Sequence, residues 1–153
     1  MANTYSQIYI QIVFSVKFRQ NLIDESWEEK LYKYISGIIK GKGHKPIIVN
    51  GMPDHVHIFV GLKPSISISE LVRDIKNNSS KYVNEQNLCS GKFQWQNGFG
   101  AFSYSKSHID RVYRYIENQK EHHKKSTFKA EYYQLLQEHQ INFEEKYLFD
   151  WIE

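Results

Sequence analysis

The chain has a single cysteine, Cys89, among 153 residues. That excludes an internal disulfide framework and a cysteine-built zinc site, and it suits a reducing compartment. The opening Met1-Ala-Asn-Thr-Tyr lacks the basic-then-apolar pattern of a signal peptide. No apolar run approaches the roughly 20 residues needed to cross a bilayer. A cytoplasmic location with no membrane partner is therefore expected. Charge of one sign is also scarce: 20 Lys and Arg against 17 Asp and Glu leave a formal +3, compatible with a nucleic-acid partner without requiring one. With no repeat of fixed period and no dividing linker, one domain over residues 1–153 is expected. What the chain does have is apolar and aromatic weight. Hydrophobic residues make up 41% and aromatics 15%, eleven of them tyrosines, enough for a buried core rather than disorder.

Residues 7–18 alternate, with Ile8, Ile10, Ile12, Phe14 and Val16 on one side and Tyr9, Gln11 and Ser15 on the other, which predicts a long half-buried strand. Asp24 and Ser26 offer caps for a helix over about residues 25–41, with Trp27, Leu31, Tyr34, Ile35 and Ile38 on its core face. Two strands follow, from Pro46 and from His55, joined by a turn over Asn50–Asp54. Ser67 and Glu70 form a capping box for a helix to about Asn84. After a polar loop over residues 87–98, Ala101–Ser105 reads as a short strand. One helix then runs from Ser107 or Asp110 to about Lys124, and another from Ser126 or Thr127 to about His139. The order β-α-β-β-α-β plus two helices predicts an α+β, ferredoxin-like split βαβ sandwich: an antiparallel sheet with helices on one face and a C-terminal helical extension.

Two patterns carry candidate chemistry. His55 and His57 sit two apart on a strand, so their imidazoles leave the same sheet face, opposite Val56, Ile58 and Val60. Such a pair serves as a polar strand face or as two legs of a metal site, and the pattern alone leaves both open. Tyr115 and Gln119 lie one helical turn apart, with Arg111 and His122 continuing that face and Val112 and Ile116 on an adjoining apolar stripe. Taken alone, that face also reads as ordinary solvent exposure. The two patterns together say more. A tyrosine hydroxyl, with an unperturbed pKa of about 10, is a weak nucleophile at neutral pH. To attack a phosphodiester it needs something that neutralises the phosphate oxygens. A divalent metal held by His55, His57 and the Gln119 carbonyl meets that need and leaves positions open for substrate. The product would be a covalent phosphotyrosine and a free 3′-hydroxyl, which conserves bond energy for rejoining.

The segment Pro53-Asp-His-Val-His-Ile-Phe-Val, with Tyr115-Ile-Glu-Asn-Gln119 downstream, resembles the single-tyrosine HUH transposases of small single-stranded-DNA insertion sequences, the IS200-like transposases. Phe99-Gly-Ala-Phe-Ser-Tyr-Ser and the His122-His123 pair share the likeness, which spans about residues 5–148. The resemblance implies Tyr115 as nucleophile and His55, His57 and Gln119 as ligands of Mg²⁺ or Mn²⁺. It also implies cleavage and rejoining of single-stranded DNA beside hairpins through a 5′-phosphotyrosine. Finally, it implies a homodimer in which the tyrosine helix of one chain completes the histidine site of the other.

Weaker signals remain. Arg73 and Lys76 on the second helix, and Arg111 and Lys120 near the tyrosine, are the candidate DNA-backbone contacts. Tyr5, Phe93 and Trp95 suit either base stacking or packing. Two other readings share the same residues: a domesticated protein that grips hairpin DNA, and a replication-initiator-like nickase.

Overall fold

The computed structural model describes residues 4–152. The alternating segment forms β1 (Tyr9–Ser15), followed by helix α1 (Glu28–Gly41) and the hairpin strands β2 (Lys45–Met52) and β3 (His55–Gly61). Helix α2 (Ile68–Glu85) leads through a loop to β4 (Gly100–Tyr104). Helices α3 (Ile109–Glu117), α4 (Gln119–His122) and α5 (Phe128–Glu138) follow, and a C-terminal segment comes after them. The sheet order is β2-β3-β1-β4 with every neighbouring pair antiparallel, the split βαβ arrangement predicted above.

The period of two decides which residues meet which layer. Ile10, Ile12 and Phe14 pair with Val60, Ile58 and Val56 and bury against Leu31 and Ile35 of α1 and Leu71 and Ile75 of α2. The opposite face carries His55, His57 and Phe59. There Val112 and Ile116 of α3 pack on Phe59, and Tyr132 of α5 meets Phe102 of β4. The two crossover helices thus keep to one face, and the C-terminal helices cover the other. Among the described residues no helix is long and apolar enough to cross a membrane.

Caps follow the local chemistry. The Ser67 side chain accepts from the Glu70 amide at 3.1 Å, and that of Thr127 from the Ala130 amide at 3.2 Å, each satisfying an otherwise orphaned amide of the first turn. Three local expectations need correction. Tyr34 does not face the core: it lies 36% exposed and stacks on Tyr82 with ring centroids 4.1 Å apart. Tyr32 is the buried tyrosine of α1, hydrogen-bonded to Glu28 one turn earlier. The hairpin turn is also shorter than expected, because Asn50, Gly51 and Met52 are paired in β2. Finally, the helix through Tyr115 breaks at Asn118 between α3 and α4.

Gly51 is where the hairpin depends on a missing side chain. A Cβ there would stand 2.2 Å from the His55 carbonyl oxygen and 2.9 Å from Val56 Cα, both backbone atoms of β3. Gly51→Ala must push β2 off the strand that carries the histidines. The expected cost is about 3 kcal/mol, the upper range for overpacking. By calorimetry this should appear as a Tm drop of roughly 6–12 °C; an unchanged Tm would mean the hairpin yields without strain.

Candidate active site

Strand β3 aims His55 and His57 into the space beneath α3, α4 and α5, and both rings are fully buried. Each outer ring nitrogen is held. His55 Nδ1 lies 2.7 Å from Asp54 Oδ1 in the hairpin turn. His57 Nδ1 lies 2.9 Å from the side-chain amide of Gln11 on β1, which Tyr104 in turn anchors at 2.8 Å. Held this way, both Nε2 atoms face inward, and His55, backed by the Asp54 carboxylate, matches metal-binding histidines oriented from their far side. Helix α3 is set over this face by Val112 and Ile116 and by Asn50, whose Nδ2 donates to the carbonyls of Ile116 and Glu117. That places the Tyr115 ring 5.8 Å, centroid to centroid, from His57. Gln119, also buried, puts Oε1 3.2 Å from His55 Nε2.

All four expected site residues therefore meet within one chain. The resemblance implies a tyrosine helix lent by a second chain; here α3 folds onto its own sheet, and Tyr115 stands beside the histidines of the same molecule.

At the centre stands a residue that sequence reasoning missed, Glu131 of α5. Its Oε1 lies 3.0 Å from His57 Nε2, 3.2 Å from His55 Nε2 and 3.0 Å from His123 Nε2. Its Oε2 accepts from the Tyr115 hydroxyl and, at 2.9 Å, from Gln119 Nε2. The signal was present in the chain. Glu131 falls on the apolar stripe Phe128–Tyr132–Leu135–Leu136, where a carboxylate is out of place unless paired.

The electrostatics follow. Burial alone would raise the Glu131 carboxyl, but the surrounding His57, His123 and His55 outweigh it and hold it far below the ordinary carboxylate range. Burial lowers His57, and the pull of Glu131 does not offset it. Burial would lower His55 as well, yet hydrogen bonds and charge from both Asp54 and Glu131 lift it to about 9. The second carboxylate, Asp54, is what separates the two rings. Tyr115 is pushed well above the ordinary phenol range by burial, then by the charge and hydrogen bond of Glu131. Its hydroxyl therefore keeps its proton in this arrangement. Inward imidazole nitrogens, an amide oxygen and a carboxylate form a donor set that suits a divalent ion. His55, His57 and Glu131 lie close enough to share one ion, with Gln119 Oε1 beside them.

The candidate DNA contacts divide. Lys76 Nζ donates to the carbonyls of Gln96 and Gly98 at 2.7 and 2.6 Å, and burial lowers it to about 8. Lys120 donates to the Gly51 carbonyl and pairs with Glu28 at 3.0 Å. Both ammonium groups are committed within the fold. Arg73 stands 64% exposed on α2. Arg111 borders a cavity of about 230 Å³ that opens beside Tyr115, His122 and Gln11. Phe93 and Trp95 are buried and Tyr5 is exposed.

Residues 4–119, from ahead of β1 to the first residue of α4, match the family described as "Transposase IS200 like". The chain belongs to that family. It is 23% identical over 118 residues to the ISDra2 transposase TnpA of Deinococcus radiodurans, covering 74% of this chain and 84% of that one. Two solved structures share the fold. One, a Deinococcus radiodurans R1 protein described as a transposase, superposes with a TM-score of 0.61 at 19% identity, over 78% of this chain and 95% of the other. The second is a REP-associated tyrosine transposase bound to a REP hairpin, at a TM-score of 0.59 and 14% identity, over 80% and 73%. This IS200-like transposase thus carries its histidine pair, tyrosine and glutamine inside the matched region, whereas Glu131 and His123 lie beyond it.

Proposed function

We propose that this IS200-like transposase cleaves and rejoins single-stranded DNA beside a hairpin, with Tyr115 as nucleophile and Mg²⁺ or Mn²⁺ held by His55, His57 and Gln119. The observation that carries the reading is convergence: the Tyr115 hydroxyl and the two inward imidazole nitrogens meet at one buried carboxylate, Glu131. The phenolic oxygen attacks phosphorus and the bond to the 3′ oxygen breaks. A 5′-phosphotyrosine and a 3′-hydroxyl remain, and the reverse step rejoins the strands. When bound, the cation would neutralise the phosphate oxygens and orient the leaving group. Asp54 and Gln11 keep the two rings aimed inward, and Asn50 keeps the tyrosine helix on the sheet. Arg111, at the rim of the cavity beside Tyr115, supplies a fixed positive charge for the approaching phosphate, and Arg73, exposed and paired only at 3.6 Å with Asp74, can turn to the hairpin backbone. The whole chain acts as one unit in the cytoplasm.

The test is a labelled single-stranded hairpin oligonucleotide incubated with Mn²⁺ and run on a denaturing gel. A covalent protein–DNA adduct is expected, lost on chelation; no adduct with any divalent ion would sink the proposal. Two copies sharing their tyrosine helices, as the family resemblance implies, would build the same site twice. Mixing Tyr115→Phe chains with chains lacking both histidines decides this: regained cleavage supports shared sites, and none assigns each site to a single chain. The REP-hairpin complex of one structural neighbour favours a second reading, a domesticated protein that grips hairpin DNA without moving an element. Paired hairpin-forming ends flanking the coding region would exclude it.

A further inference from the structure

His55, His57 and His123 all present an inner nitrogen to one oxygen of Glu131, at 3.2, 3.0 and 3.0 Å. The His55 Nδ1 lies 2.7 Å from a carboxylate, Asp54, which leaves Nε2 as the nitrogen this ring can offer to a ligand. That nitrogen lies 3.2 Å from both Glu131 Oε1 and Gln119 Oε1. The Gln119 amide is not free to flip, because its Nε2 donates to Glu131 Oε2 at 2.9 Å. His123 repeats the pattern. Its Nδ1 donates to the Ser126 carbonyl at 2.8 Å, which turns Nε2 toward the same Glu131 oxygen at 3.0 Å. Imidazole nitrogens, an amide oxygen and a carboxylate oxygen thus converge in a buried space. Positive charge is what holds such a group together, and a divalent cation supplies it while taking the ring nitrogens as ligands.

Building on the metal-dependent reading above, we propose that Glu131 is itself a ligand of the divalent cation, delivered by α5 from outside the family-matched region, and that the cation thereby fastens the C-terminal helix over the histidine pair. Glu131 and the inner nitrogens of His55 and His57 lie close enough to share one ion. A carboxylate beside two imidazoles is also a more complete donor set than two imidazoles and an amide. The packing holds the helix in register for this. Phe128, three residues before Glu131, stacks on the His55 ring with centroids 3.8 Å apart and planes 6° from parallel. Phe149 and Trp151 of the C-terminal segment close behind it.

The opposing possibility is that Glu131 merely fills the place of the cation and must leave when an ion arrives. The two differ in sign. Mn²⁺ binding, followed by loss of the free-ion electron paramagnetic resonance signal, should weaken at least about tenfold in Glu131→Gln, since even outer-shell partners of a metal site cost that much. An affinity in Glu131→Gln equal to or tighter than that of the unaltered protein overturns the proposal. Hydrogen exchange on the unaltered protein needs no variant: Mn²⁺ should slow exchange across residues 128–138, and faster exchange there overturns it. His55→Ala combined with His57→Ala, verified as folded by circular dichroism, separates the two levels. If the unaltered protein fails to bind Mn²⁺, or this double variant binds as well as it does, the metal reading fails and takes this inference with it. If only Glu131→Gln keeps full affinity, this inference fails alone.

Discussion

Replacing Tyr115 by phenylalanine is expected to abolish the covalent protein–DNA adduct while leaving hairpin binding within about twofold. The substitution removes one oxygen. The ring keeps its packing beside His57 and against the small cluster around Phe59, so the scaffold should hold. Glu131 loses one of several donors, a loss of about 1 kcal/mol on the scale of ordinary hydrogen bonds. Chemistry suffers far more, because without the hydroxyl no oxygen is positioned to attack phosphorus. Loss of a nucleophile elsewhere costs about 10⁶ in rate, which here means no detectable adduct on a denaturing gel. An adduct that persisted would transfer the nucleophile to another residue. The neighbouring Tyr104, whose hydroxyl is tied to Gln11, would be the next to replace.

Removing both histidines should produce the second large effect, on stability and activity together. In His55→Ala with His57→Ala the buried Glu131 carboxylate loses two of its nitrogen partners. A buried charge stripped of its partner is destabilising by about 3–5 kcal/mol. Denaturant melts should show that loss, and cleavage should vanish even at low temperature where the chain is still folded. Adding Glu131→Gln to the double variant removes the stranded charge. Stability should then recover in part, a non-additive result expected of groups in one network, while cleavage stays absent. Purely additive stabilities would mean that these side chains do not form the network described above.

Much of this was legible in the chain because it is local. Period-two alternation assigned β1 and put His55 and His57 on the face opposite Val56, Ile58 and Val60. The four-residue spacing of Tyr115 and Gln119 put both on one helical face, and Ser67 and Thr127 marked helix starts through their own side-chain oxygens. Tyr34 misled because periodicity does not separate a core stripe from a flank where two tyrosines stack across neighbouring helices. Lys76 and Lys120 show a related limit: a lysine in sequence is a charge, and only the fold shows which carbonyls or carboxylates already hold it.

By itself, then, the sequence determined the split βαβ order, the shared face of the two histidines and the pairing of tyrosine with glutamine, since each depends on backbone periodicity over a few residues. Tertiary structure decided the rest. It brought α3 back over its own chain's histidines, committed two lysines to internal bonds, and set Glu131, 74 residues beyond His57, at the point where every inward nitrogen meets. Contacts at that separation depend on how helices dock across a sheet, and no local pattern encodes where a distant carboxylate will come to rest.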